Sequence, residues 1–162
     1  PWLIADRLSE IESLRWQSKF KGEYAQIGSG ASAVYLHRPL TFMNRSGHSV
    51  SEIKTFYKIK VNEILIVHDD VEMEPGNIAI KSGGGLGGHN GLRSVVSTLG
   101  SQDFYRFRIG VGRPEKGTVS SHVLKKLSQE EMDEFEPVIA DASRLLVELS
   151  KNEGNIDDYL NR

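Results

Sequence analysis

The sequence predicts an α/β domain, a twisted mixed β-sheet flanked by helices on both sides, on three observations. First, Ile64-Leu65-Ile66-Val67 is a run of four apolar residues inside Glu63–His68, which reads as a central strand buried on both faces, as in a sheet covered by helices. Second, Leu92, Val95, Val96 and Leu99, and later Met132, Phe135, Ile139, Ala142, Leu146 and Leu149, recur at helical spacing. Third, six glycines crowd into the nine residues from Gly83 to Gly91, a turn between strand and helix where side chains must be absent or φ positive. At 162 residues, with no repeat, low-complexity tract or linker, residues 1–162 make one domain.

The elements follow in order. Trp2, Leu3, Ala5, Leu8, Ile11 and Leu14 lie on one stripe and open the chain with a helix. A polar, glycine-bearing stretch runs from Lys19 to Gly30, then Ala33–Arg38 forms a short strand ended by Pro39-Leu40. Thr41–Gly47 is a turn. Ser49-x-x-Glu52 has the form of a capping box for a helix through Lys58, with Val50, Ile53 and Phe56-Tyr57 inward. After the Glu63–His68 strand, Pro75-Gly76 leads to a strand at Asn77–Lys81, the glycine turn and a helix at Gly91–Leu99. Tyr105–Gly112 is the last strand, with Arg106 and Arg108 on one face and Phe107, Ile109 and Val111 on the other. A Pro-Glu-Lys-Gly turn leads through Ser120–Leu127 to a second capping box, Ser128-x-x-Glu131, and the long helical stripe. Pro137 marks a kink there or the first turn of a further helix.

Composition narrows the class. Apolar and charged fractions of 38% and 26% are those of a globular protein in water, and no apolar run approaches the ~20 residues of a membrane span. The absence of cysteine removes disulfides and thiolate chemistry and fits a reducing compartment. Net charge is −2, unevenly spread: Gly76–Lys126 holds eight Lys/Arg against two acids, and the chain from Leu127 onward three against ten. A basic middle suggests a face for a polyanion, held by electrostatics rather than by reading of sequence; a solvated charged surface is the plain alternative.

Several patterns compete for the chemistry. Gly83-x-Gly85-x-x-Gly88 fits the dinucleotide fingerprint formally, but no acidic residue closes a second strand ~20 residues on. The phosphate-loop pattern lacks its Lys-Ser/Thr. No Gly-x-Ser-x-Gly elbow is present. His68, Asp69, Asp70 and His89 have irregular spacing and no helical His-x-x-x-His pair, so a metal site is not expected. Asp69, at the carboxyl end of the strongest strand, suits a carboxylate that orients a histidine base, or else a turn cap. Asn44, after Phe42-Met43, offers an amide for a carbonyl or water, or is simply a turn former. His89 and Asn90 stand where bare N–H groups at a helix start suit an anion or carbonyl oxygen.

Taken together, Pro39-Leu40-Thr41-Phe42-Met43-Asn44-x-Ser46-Gly47, Ile66-Val67-His68-Asp69-Asp70, Lys81-Ser82 followed by Gly83–Leu92, and Phe107–Pro114 resemble the bacterial-type peptidyl-tRNA hydrolases in order and spacing over essentially the whole chain. The resemblance implies a metal-free, cofactor-free, monomeric cytoplasmic enzyme of translation. Such an enzyme hydrolyses the ester between peptide and tRNA and recycles tRNA from aborted synthesis. It implies catalytic roles for Asp69, which keeps a histidine basic, and for Asn44, which holds substrate and attacking water. Phe42, His89 and Asn90 become substrate contacts, and Lys81, Arg108 and Arg93 contacts to tRNA phosphates.

The resemblance also implies a first strand and loop bearing an asparagine, a tyrosine and the catalytic histidine, all ahead of the position of Pro1. None of His37, His48, His68, His89 or His122 matches that histidine. The expectation is therefore that residues 1–162 lack the general base and one strand, and by themselves are inactive. A catalytically silent relative that binds RNA through the same surface is the other functional class; Asp69 and Asn44 favour the hydrolase.

Overall fold

In the computed structural model, which describes residues 1–151 and 156–160, the chain opens with helix α1 (Trp2–Glu12). Ile4 and Leu8, one turn apart, are its buried residues, while Trp2, Leu3 and Ile11 of the expected stripe stay exposed. The stretch from Lys19 onward, which carries no strand signal, contributes to a hairpin of β1 (Gln17–Lys19) and β2 (Gly22–Ile27). Its turn residues Phe20 and Lys21 both take positive φ, 59° and 53°, as a type I′ turn demands. Asn-Gly usually announces such a turn. Here Phe20 is buried among Tyr24, Phe56 and Tyr57, and that packing offsets the local strain. Strand β3 (Val34–Pro39) pairs antiparallel with β2 and completes a three-stranded sheet in the order β1-β2-β3.

Helix α2 (Ser46–Tyr57) enters through a 3-10 turn at Met43–Arg45. The expected capping box at Ser49 is therefore wrong: Ser49 sits inside the helix, fully buried, and its hydroxyl donates to the carbonyl of Phe20 at 2.6 Å with His37 Nε2 2.7 Å away. A buried hydroxyl is stable only with partners, and these come from the hairpin and β3, far away in sequence.

Strand β4 (Leu65–Asp70) begins two residues later than the expected Glu63–His68 strand, because Val61–Glu63 forms a 3-10 turn. Then come β5 (Ile78–Ser82), α3 (Asn90–Leu99), β6 (Tyr105–Gly110), α4 (Val119–Leu124) and α5 (Gln129–Ser150). The Ser128–Glu131 capping box forms as read, and α5 runs on through Pro137 as one helix.

The second sheet has the order β4-β6-β5, with β4 parallel and β5 antiparallel to β6. The sheet is mixed, as expected, but the six strands form two sheets, and the middle seat belongs to β6. Among the described residues β4 is paired on one edge only. An apolar run reports that both faces of a strand are covered, not where it sits in the sheet. Leu65 and Val67 pack with Ile80, Phe107 and Ile109 into the core shared with α1 and α5. Ile64 and Ile66 pack on the other side with Val50, Leu92, Val95 and Phe104. The far edge of β5 is met by Leu160, bridged to Ile80. This is an α/β/α arrangement.

Candidate active site

The parallel register pairs His68 with Arg108, Asp69 with Ile109 and Asp70 with Gly110, so the acidic end of β4 lies beside the basic strand. Asp69 Oδ1 is 3.5 Å from His89 Nε2. His89 is the N-cap of α3, and its Nδ1 accepts the N–H of Leu92 at 3.2 Å. Its Nδ1 lone pair is thus taken, and the proton on Nε2 faces the carboxylate. Burial pushes the Asp69 carboxyl up, but the bond to His89, the electrostatic pull of that ring and the residue's own N–H outweigh it and hold the pKa below the ordinary carboxylate value. His68 is buried under His89, ring centroids 5.2 Å apart and nearly perpendicular. Its Nδ1–H donates to the carbonyl of Asp69 at 2.7 Å, and its Nε2 is buried with no partner among the described residues. Burial drives its pKa down to about 4, which makes it neutral at physiological pH.

Asn44 and Asn90 both line an open groove of ≈ 610 Å³, together with His48, Arg93, Ser94, Ser97 and Thr98. The groove exists because α2 and α3 pack closely: Gly47 donates its N–H to Ser94 Oγ at 3.0 Å, and a Cβ at Gly47 would run into the Ser94 carbonyl. Phe42 lies outside this lining and is 80% exposed, whereas Met43 packs against the start of α3 at Gly91. His48, Ser94, Ser97 and Thr98 were not singled out from sequence. Asn90, Arg93, Ser94, Ser97 and Thr98 form a polar stripe opposite Leu92, Val95, Val96 and Leu99, and that periodicity was a signal for them.

The cations fall on one sheet face. Lys81 stands directly across from Arg106 and diagonally from Arg108. Arg108 Nε donates to Asp70 Oδ2 at 2.8 Å, which leaves its terminal Nη groups to other partners. Burial pushes Asp70 up, but Arg108 and the Glu72 N–H outweigh it and hold the carboxyl low. Arg93 Nη1 reaches Asn90 Oδ1 at 3.4 Å. Arg106, read from sequence only as a face-sharing cation, is buried under the glycine turn. Among the described residues no group of three or more His, Cys, Asp or Glu could hold a metal, and no helix is long and apolar enough to cross a membrane.

A carboxylate is set against a histidine at a strand's carboxyl end, with two amides lining the groove alongside, in an α/β layer structure. The family model for peptidyl-tRNA hydrolase matches residues 1–162. The peptidyl-tRNA hydrolase of Geobacter sp. (strain M21) is 41% identical over 154 residues, 94% of this chain and 81% of that protein. That of Hahella chejuensis is 45% identical over 137 residues, 83% of this chain and 70% of its own length. The crystal structure of peptidyl-tRNA hydrolase from Acinetobacter baumannii superposes with a TM-score of 0.85 at 35% identity, over 99% of this chain and 81% of that one. The chain belongs to the peptidyl-tRNA hydrolase family, and hydrolase activity comes with that membership.

Proposed function

We propose that this site cleaves the ester joining peptide to tRNA through a water activated by a histidine that Asp69 keeps basic. Water attacks the ester carbonyl carbon, the base takes its proton, and the C–O bond to the ribose breaks to leave a free hydroxyl on tRNA and a free carboxyl on the peptide. The observation that carries this reading is the Asp69 carboxylate, held below the ordinary carboxylate pKa at the carboxyl end of β4, with Asn44 and Asn90 lining the groove between α2 and α3. In it Asn44 holds substrate and water, and Asn90, with His89, grips the peptide main chain. Phe42, with its ring in solvent, packs against substrate.

The base is a histidine outside the five of this chain. His89 has Nδ1 occupied by Leu92 and Nε2 turned to Asp69; His68 is buried beneath it; His37 is engaged with Ser49 and Glu23, and His122 with the Val111 carbonyl. His48 lines the groove and has no carboxylate within ion-pair range among the described residues. The edge of β4 that is unpaired among the described residues starts apolar at Leu65-Ile66-Val67 and carries no lysine or proline, which suits an added strand. Residues 1–162 are in this reading one domain without that strand and loop. Lys81 and Arg108, with Arg93 beyond, contact tRNA phosphates; the protein works as a cytoplasmic monomer without metal or cofactor.

The test is Asp69→Asn in the protein bearing its base. The carboxylate acts on the base and not on phosphates, so kcat falls by ~10² or more, within the usual worth of general base catalysis, while tRNA affinity is unchanged. An equal loss of tRNA affinity would assign Asp69 to the fold. Retention of tRNA binding by the wild type with no ester cleavage on any peptidyl-tRNA would favour a silent RNA binder.

A further inference from the structure

Beneath the glycine turn lies a buried cation that the chemistry above does not use. Arg106 is 4% exposed, and the hydrogen-bond partners of its guanidinium are two backbone carbonyls: Nη1 donates to Gly85 at 2.5 Å and Nη2 to Gly83. Its Nε is buried without a partner among the described residues. The planar fork of an arginine fixes both carbonyls at once. No peptide bond here is cis, and in a trans peptide the C=O and the following N–H point in opposite directions. With the carbonyls of Gly83 and Gly85 turned in, the N–H groups of Gly84 and Leu86 turn out. Neither finds an acceptor among the described residues.

The turn is built around this arrangement. Gly84 has φ +93°, and a Cβ there would stand 2.5 Å from Arg106 Nη2 and 3.1 Å from Lys81 Cε. The same point is 3.4 Å from Lys81 Nζ, so the Lys81 ammonium lies against the turn at Gly84. A Cβ on Gly85 would meet nothing within 4 Å, and its φ is not in the left-handed region. Neither packing nor backbone conformation requires a glycine there, and the space over it is open.

We propose that Arg106 is a positioning residue that presents the N–H groups of Gly84 and Leu86, beside the Lys81 ammonium, as donors to one phosphate of tRNA. Two fixed amides and a cation complement a phosphate oxygen, in the manner of other backbone anion nests. The proposal rests on the reading of Lys81 as a phosphate contact.

The experiment is a titration of the ¹⁵N-labelled full protein with deacylated tRNA, following the Gly84 and Leu86 amides, beside salt-dependent affinities of the wild type, Arg106→Lys and Lys81→Ala. In the wild type both amide resonances move downfield as tRNA is added. Arg106→Lys keeps the charge but loses the fork. It weakens tRNA binding about tenfold, in keeping with loss of hydrogen bonds to a charged group, abolishes the two amide shifts, and leaves the slope of log affinity against log salt unchanged. Lys81→Ala lowers that slope by about 0.7–0.9. The wild-type measurement stands whether or not Arg106→Lys folds. If the wild type binds tRNA and these two amides stay still, the inference is overturned and the function reading survives. If Arg106→Lys keeps both affinity and amide shifts, Arg106 is not their positioner. If the wild type shows no salt-dependent tRNA binding, the clamp reading fails and this inference falls with it.

Discussion

The two faces of the β4-β6-β5 sheet share strands but little else. Along β6, Phe107 and Ile109 point to one side and Arg106 and Arg108 to the other. The first side is sealed: Ile80, Phe107 and Ile109 are buried against Ile4, Leu8, Val138, Ile139, Ala142 and Leu146 of α1 and α5. The second is apolar where Ile66 meets the α3 cluster, and elsewhere carries His68, Asp70, Arg106, Arg108 and, across the register, Lys81. Period-two alternation lets one strand serve stability and chemistry at once, because neither set of side chains enters the other's environment. Asp69 is the exception. By alternation it belongs to the sealed side, but at the strand's end, beyond the cover, its carboxylate reaches His89.

Three measurements bear on this division. The largest effect belongs to the sealed face: Phe107→Ala destabilises by about 3–5 kcal/mol, the cost of a large cavity in a core. Urea unfolding measures it, and the salt dependence of tRNA binding by the folded fraction stays as in the wild type. A changed salt slope would show that the two faces are coupled.

Next comes the acid sensitivity of the functional face. His68 has its pKa lowered to about 4 when folded, against about 6.5 in an unfolded chain. The unfolded state therefore takes up the proton first as pH falls. The contribution is complete above pH ~6.5, is lost progressively below it, and is gone near pH 4, for a total of about 3 kcal/mol. Urea midpoints at pH 7 and pH 4.5 for wild type and His68→Asn isolate it, because the variant lacks this part of the pH dependence. An identical acid loss in both would place the sensitivity elsewhere.

The smallest effect is on binding. Lys81→Ala with Arg108→Ala removes two phosphate contacts and flattens the salt slope by about 1.4–1.8, about tenfold in affinity across a fourfold change in salt. Cleavage of a small peptidyl ester lacking that phosphate is unchanged. Lost activity on the small ester would move these cations into the chemical site and erase the distinction between cleft and clamp.

Much of this was legible along the chain. Helices α1, α3 and α5, strands β3 to β6 and the Ser128 cap follow from periodicity and capping chemistry, which are local. The meeting of Asp69 with His89 was not legible, because the sequence assigned Asp69 to a histidine ahead of Pro1 and His89 to substrate. The β1–β2 hairpin was not legible, because Phe20 and Lys21 carry no turn chemistry and their positive φ is sustained by aromatic packing from α2. Ser49 mimicked a cap because a capping box is a four-residue pattern, while its real partners, Phe20 and His37, come from other elements. Arg106 read only as a cation sharing a face with Arg108, since nothing in Tyr-Arg-Phe-Arg says which arginine is covered.

By itself the sequence determined which residues alternate, where helices start, and which families of side chain share a face, since these depend on backbone geometry over a few residues. Tertiary structure alone decided that β6 lies between β4 and β5 among the described residues. It also decided that His89 spends one nitrogen on Leu92 and turns the other to Asp69, and that Arg106 lies under the glycine turn while Arg108 remains partly in solvent. Those outcomes depend on which surfaces cover one another, and the desolvation and hydrogen-bond partners that follow belong to contacts between residues distant along the chain.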